Sequence, residues 1–409
     1  MTFLNNVLQK LNLDTISELL VLLILITIPL GFALNSISII LFSLYGIILF
    51  LKKKNKIQIN ILAALFIIFF LCGLLSLFWT SNIVNTFNGI IDFLPYLALP
   101  IGFIFQKNYI NKITQILRLL SIAVIVFSFY SFVFGVLNSY LNYDSSYLFY
   151  HKLSNNLSGL NAIYLSVLVS FSIGFFLIQS KSILNSLALF MLSVFLVLLS
   201  SKLIIFFTLL FSIIYLIRII INKEFKKKYF YLIILGLIIL PISSKNILKR
   251  IKVEIDKTKV SEILQKKEFG QVYLWTGTGL RVFQAKVFLE ILEEHQNYFL
   301  GFGLDNSQES LKSKYKEYNL YPGFYEYNYH NQYIQIVSEL GVVGLIILIS
   351  LFFVLLKTAI SKKDFFLLYF ALLIVSVCFT ETFLWRQRGM VFFILISLLL
   401  FKKKKHYIN

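Results

Sequence analysis

Residues 61–71 read ILAALFIIFFL, and this stretch decides the fold class. None of its side chains ionises, and no polar residue returns at the spacing of a helix face or a strand face. A soluble amphipathic helix keeps one polar side and a half-buried strand alternates. A segment apolar on every side is at home in hydrocarbon, where a helix satisfies its own backbone hydrogen bonds. VFLVLL at 194–199 has the same character. Across the chain 58% of the 409 residues are hydrophobic and 14% are charged, against roughly half and a quarter in a soluble domain. We therefore expect an all-α polytopic membrane protein.

Working outward, similar runs predict about twelve transmembrane helices near 17–34, 37–51, 59–78, 88–105, 114–137, 157–179, 182–199, 203–221, 228–243, 331–356, 365–380 and 389–401. The run Leu19–Leu34 has no small-residue cleavage site behind it and is expected to be a retained first span. Ser200, Ser201 and Lys202 leave room only for a tight turn between two spans. This divides the chain into spans one to nine (1–243), a large loop (244–330), and three spans with a basic tail (331–409).

The net charge of +19 would suggest nucleic acid in a soluble protein, but here the cations cluster between apolar runs. There they set topology and touch anionic head groups, so membrane lipids and not nucleic acid are the expected partners. With a cytoplasmic N-terminus, the inner connections hold Lys52–Lys54 with Lys56, Lys226–Lys228 and Lys402–Lys405. The short outer ones hold only Lys152, Lys202, Arg386 and Arg388. Both termini are therefore expected in the cytoplasm and loop 244–330 outside. Cys72 and Cys378 fall in apolar segments and form neither a disulfide framework nor a metal motif. No metal or cofactor is expected.

Within the loop, Ile247, Ile251, Ile255 and Val260 recur at near-helical spacing among charges, which predicts a surface helix over 245–268. A second helix is expected from Leu280 to Glu294, followed by Gly301-Phe302-Gly303. Six tyrosines between Tyr315 and Tyr329 suit either the membrane interface or sugar rings.

A transporter gathers ionisable groups near the bilayer midplane. Here Lys202, Arg281, His330, Arg386 and Arg388 lie at or beyond the expected outer ends, and Asp92, Glu339 and Glu381 sit nearer span ends than centres. That pattern favours chemistry at the outer surface over transport. At the tenth span, Asn331, Gln335, Ser338 and Glu339 share one helix face, which must point into the bundle or a wet cavity. Gly341 and Gly344 would let a neighbouring helix approach closely.

His330-Asn331, nine residues, then Gly341-x-x-Gly344 resembles the signature of the O-antigen ligase and O-antigen polymerase superfamily of bacterial envelope glycan enzymes. Arg281 with Gly301-Phe302-Gly303 is similar to that family's arginine-led helix and Gly-x-Gly segment. Ser201-Lys202 lies where members carry Ser-Arg, and the run Thr380 to Gly389 resembles a C-terminal element of some members. Asn161 to Ser166 resembles another family stretch, without the His-Pro often found before its tyrosine. Two departures stand out: Lys202 keeps the charge but loses the guanidinium fork, and Gln284 and Ala285 occupy the place of a family tryptophan.

The resemblance implies glycan transfer from undecaprenyl pyrophosphate to lipid A–core or a similar acceptor, or polymerisation by a related reaction, with inversion at the anomeric carbon. A pyrophosphate leaving group needs cations, which Arg281 and Lys202 can supply without a metal. His330 has the residue type to take the acceptor's proton. Asn331, Arg386, Arg388, Glu339 and Glu381 are the expected substrate-binding groups, the two glutamates as orienting residues. Each has a plainer role open to it: Lys202 as an interface lysine, Arg281 as a solvated helix charge, Arg386 and Arg388 as outer anchors.

Overall fold

The computed structural model describes residues 13–53, 59–155, 159–179, 182–221 and 252–403. Helices α1 (Leu13–Thr27), α2 (Phe32–Lys53), α3 (Ile61–Leu75), α4 (Ile83–Phe93), α5 (Pro95–Gln106), α6 (Ile113–Leu141) and a short α7 (Tyr150–Ser154) come first. Then follow α8 (Ala162–Ile178), α9 (Ile183–Leu198) and α10 (Lys202–Ile221). The loop holds α11 (252–257), α12 (Val260–Gln265), α13 (Gly277–His295) and α14 (Ser307–Glu317). Last come α15 (Gln332–Lys362), α16 (Phe365–Cys378) and α17 (Gln387–Lys402). The described residues contain no strand.

Among the described residues, six stretches are long and apolar enough to cross a membrane: Phe32–Lys52, Ile61–Phe78, Ile83–Tyr109, Ile113–Leu141, Lys202–Ile221 and Gln332–Lys362. α8, α9 and α16 are shorter apolar helices. The chain is a membrane protein. The expected span 228–243 lies outside the described residues. The one expected over 88–105 is two helices, because Pro95 opens α5 directly after Leu94.

Burial follows position in the bundle. α2 turns Ile40, Leu44 and Ile48 outward, each about half exposed, as lipid contact requires. α8 and α17 are buried almost throughout, and Phe171 of α8 meets Phe366, Phe370 and Phe392. Small residues let helices close up: a Cβ on Gly174 would lie 2.4 Å from the Tyr369 ring. In the same region Ser170, Thr208 and Tyr369 share hydroxyl hydrogen bonds, so these three groups are satisfied inside the bundle.

The two ends of the bundle are distinct. At one, Glu18 accepts from the backbone N–H groups of Asn111 and Lys112, Lys402 reaches the carbonyls of Lys107 and Ile110, and Lys362 reaches that of Phe401. These are segments that the charge count groups on one side. The loop sits at the other end, where Trp79 donates to the Leu300 carbonyl at 3.0 Å.

The loop has its own apolar core, built from Ile263, Leu280, Phe283, Val287, Ile291, Leu311 and Tyr315. Thr276 caps α13 by accepting the Gly279 N–H at 3.0 Å, so that helix starts at Gly277, three residues before the expected Leu280. The surface helix expected over 245–268 is different in kind. Residues 245–251 lie outside the described set, and the remainder breaks into α11 and α12. Ile255 and Val260 are exposed, while Ile263, off the expected stripe, is the residue that enters the core. The tyrosines divide as well. Tyr315, Tyr318 and Tyr329 are core residues and only Tyr321 and Tyr327 are well exposed. Burial pushes the Tyr315 and Tyr329 hydroxyls well above their ordinary range, so both stay neutral.

Candidate functional site

The loop and α15 meet through their backbones. α15 breaks at Gly341 (φ 64°, ψ −166°), a conformation open essentially to glycine. The break frees backbone groups, and the loop takes them up. Phe302 N donates to the Ser338 carbonyl, Gly303 N to that of Glu339, and Val342 N to that of Tyr298, each at 2.9 Å. Nothing larger than hydrogen fits: a Cβ on Gly341 would lie 2.0 Å from the Phe299 oxygen, and one on Gly301 2.5 Å from the Glu339 carbonyl carbon. Gly341 therefore admits loop 298–303 and not a neighbouring helix, which is how its role was expected. A Cβ on Gly344 would meet only α15's own Leu340 and Ile336.

The polar face of α15 is satisfied by that same loop. Glu339, 1% exposed, accepts from Asp305 N at 2.6 Å, from the Ser307 hydroxyl at 3.0 Å, and from Gln335. Ser338 donates to the Tyr329 hydroxyl. Asn331 caps the helix, its Oδ1 accepting from Tyr333 N and Ile334 N, and its amide donates to the Phe379 carbonyl. Glu339 and Asn331 thus hold the loop and the helix start.

The remaining candidates form one connected arrangement. Lys202, at the start of α10, lies 2.7 Å from Glu254 Oε2 on α11. Glu254 Oε1 accepts from Thr278 N at 2.8 Å, in the first turn of α13. Burial works against the charge on Glu254, but Lys202 and Thr278 outweigh it and hold the carboxyl below its ordinary range. One turn on, Arg281 Nε and Nη2 donate to the Thr380 carbonyl at 3.0 and 2.7 Å, and Nη1 to Gly277 at 2.8 Å. A guanidinium has five N–H donors, so two remain available. Next to Thr380, buried Glu381 places Oε1 3.5 Å from His330 Nδ1. His330 has a left-handed backbone (φ 45°), accepts no help from a glycine there, and meets the edge of Tyr327. Lys202, Arg281, Glu381 and His330 are so joined through Glu254, the α13 N-terminus and turn 380–381. Beside Lys202 a cleft of about 350 Å³ is walled by Val253, Glu254, Lys257, Leu274, Trp275 and Thr276.

Residues 187–349 match the family model described as O-Antigen ligase. This segment is an O-antigen ligase-family domain. No curated protein matches the chain. The O-antigen ligase domain contains Lys202, Glu254, Arg281, Gly301, Gly303, His330, Asn331, Glu339 and Gly341. Members of this family are glycan ligases or polymerases, which supports an enzyme of that type and implies, in general, a lipid-linked glycan and an acceptor as substrates. Turn 380–382 lies beyond the matched segment yet receives both Arg281 and His330.

Two expected residues stand apart from this arrangement. Arg386 is exposed at the α17 N-cap, and Arg388 is buried with its guanidinium 4.5 Å from the centre of the Phe32 ring. The arrangement also includes residues that sequence reasoning passed over. Glu254 is one acid in a charge-rich stretch and carries no local signal. Asn328 donates to Thr382 Oγ1 at 2.8 Å, and Gln332 Oε1 accepts from Leu384 N at 2.8 Å. These last two pin the C-terminal turn against the start of α15.

Proposed function

We propose that this protein transfers a glycan from undecaprenyl pyrophosphate to lipid A–core, or a similar acceptor, at the periplasmic face of the bacterial inner membrane. In this reading twelve spans leave both termini in the cytoplasm, and the reaction is metal-independent and inverting. The observation that carries it is the convergence of Arg281 and His330 on adjacent residues, Thr380 and Glu381.

The acceptor hydroxyl oxygen forms a bond to the anomeric carbon while the bond from that carbon to the pyrophosphate oxygen breaks. The leaving pyrophosphate keeps the electron pair. Its growing charge is met by Lys202 and by the two free donors of Arg281, preorganised by their contacts. The hydroxyl proton passes to His330. In this reading the Glu381 carboxylate, 3.5 Å from Nδ1, closes onto that nitrogen when substrate binds and draws the ring proton there, which leaves Nε2 as the acceptor. His330 is a quarter exposed, so a substrate can reach it. Exposed Arg386 serves as an outer phosphate contact or anchor and buried Arg388 as an anchor against Phe32, and Asn331, Glu339 and Glu381 keep the reacting groups in register.

Gene deletion followed by gel analysis of envelope glycans tests this. Loss of all long chains from lipid A–core, with lipid-linked polymer accumulating, is the expected result. A single capped repeat would instead identify a polymerase. Membrane-inserted His330→Ala or Arg281→Ala protein that still transfers glycan would sink the mechanism.

A further inference from the structure

Glu254 deserves a function because of where its two oxygens go. One faces Lys202 Nζ at 2.7 Å and the other accepts from Thr278 N at 2.8 Å, with the Thr278 hydroxyl at 3.3 Å. The carboxylate thus ties the outer end of α10 to the first turn of the helix that carries Arg281. A lysine is a flexible point charge, and without a partner it samples many rotamers. A guanidinium would bring a planar fork of its own; an ammonium needs an external guide. Lys202 and Glu254 also share the wall of the 350 Å³ cleft with Lys257, so the guided charge faces open space.

We infer that Glu254 is a positioning residue for donor binding, aiming Lys202 at the pyrophosphate and fixing its separation from Arg281. This deepens the glycan-transfer reading and rests on it. Glu254 itself neither exchanges a proton nor touches the reacting carbon. Its effect reaches the reaction through Lys202, so it governs the donor and leaves the acceptor alone.

Steady-state transfer by the purified full-length protein in nanodiscs tests this, with a lipid pyrophosphate-linked glycan as donor and lipid A–core as acceptor. Glu254→Gln keeps the shape and removes the charge. It is expected to raise the donor KM about tenfold, the scale of one charge-assisted hydrogen bond, with the acceptor KM within about twofold. Glu254→Asp, still charged but one methylene shorter, should recover part of that loss. The double variant Lys202→Met/Glu254→Gln should be no worse than Lys202→Met, because both act through one charge.

The inference is overturned if Glu254→Gln has the wild-type donor KM. It is equally overturned if the double variant shows the product of the two single losses, since Glu254 would then act independently of Lys202. Equal rises in both KM values would mean a merely structural carboxylate and also reject it. Failure of the underlying reading looks different: the wild type would transfer nothing, and every variant would be as inert, which removes the inference as well.

Discussion

Replacing Gly341 by alanine should detach the loop from α15. The cost follows from the geometry. Alanine at φ 64°, ψ −166° is strained by about 1–3 kcal/mol. Its Cβ would lie 2.0 Å from the Phe299 oxygen, so strands of backbone must part and the hydrogen bonds of Phe302, Gly303 and Val342 must stretch or break. At about 1 kcal/mol for each bond, the total is roughly 4–6 kcal/mol. Such a loss opens the loop locally before it unfolds the bundle. Hydrogen–deuterium exchange reads this directly. The amides of Phe302, Gly303 and Val342 should exchange about a thousandfold to ten-thousandfold faster, at 1.4 kcal/mol per factor of ten. Gly270→Ala is the control, because Gly270 also has positive φ (71°) but open space around it. It carries the conformational cost alone, about 1 kcal/mol. Unchanged protection in Gly341→Ala, or equal effects from the two variants, would refute the backbone-crossing argument.

Three further outcomes are expected. Asn331→Ala should lower stability by about 1 kcal/mol through loss of the α15 cap, and Asn331→Asp should restore the cap and most of the melting temperature while losing the amide bond to the Phe379 carbonyl; an Asp protein that melts no better than the Ala protein would reject the capping role. Glu339→Ala should orphan Asp305 N, Ser307 Oγ and Gln335 Nε2 and cost about 3 kcal/mol or more, seen as a lower melting temperature in detergent, while Glu339→Gln loses less. Asp305 has its carboxyl raised from 3.8 to about 6 by burial and by nearby Asp92. The folded state therefore holds a proton that the unfolded chain has released, and stability falls as pH climbs from about 4 to 6. Asp305→Asn should raise the melting temperature above pH 6 and leave it unchanged below about pH 4; the same shift at every pH would contradict the assignment.

The helices were legible because runs such as 61–71 offer no polar face, and α3 runs over Ile61–Leu75. Their neighbours were not legible, since lipid-facing and bundle-facing positions use the same apolar residues. Leu44 is half exposed and Phe42 fully buried, and nothing in their chemistry separates them. The break in α15 was hidden for a related reason. Gly341 reads as a small residue for close packing, and only the backbone angles distinguish a helix contact from a loop crossing. In the loop, aromatic residues were misleading. Tyr315 and Tyr329 look like sugar or interface contacts, yet this small core fills the space between its aliphatic residues with tyrosine rings and satisfies hydroxyls internally, as Gln284 does for Tyr315 at 2.9 Å.

The site was partly legible, and the missing part explains why. His330, Arg281 and Lys202 belong to spaced motifs, but the groups that join them are backbone atoms and one unmarked acid. Arg281 is fixed by the carbonyl of Thr380, an atom every residue has. No side-chain pattern can encode that contact. It needs instead a turn at 380–382 held at the right height, which Asn328, Gln332 and buried Glu381 provide. The consequence is that the C-terminal turn, outside the matched domain, supports both the cation and the histidine. A change that moves this turn, such as Thr382→Val, should therefore lower transfer through Arg281 and His330 together, although Thr382 reaches neither of them by any hydrogen bond described above.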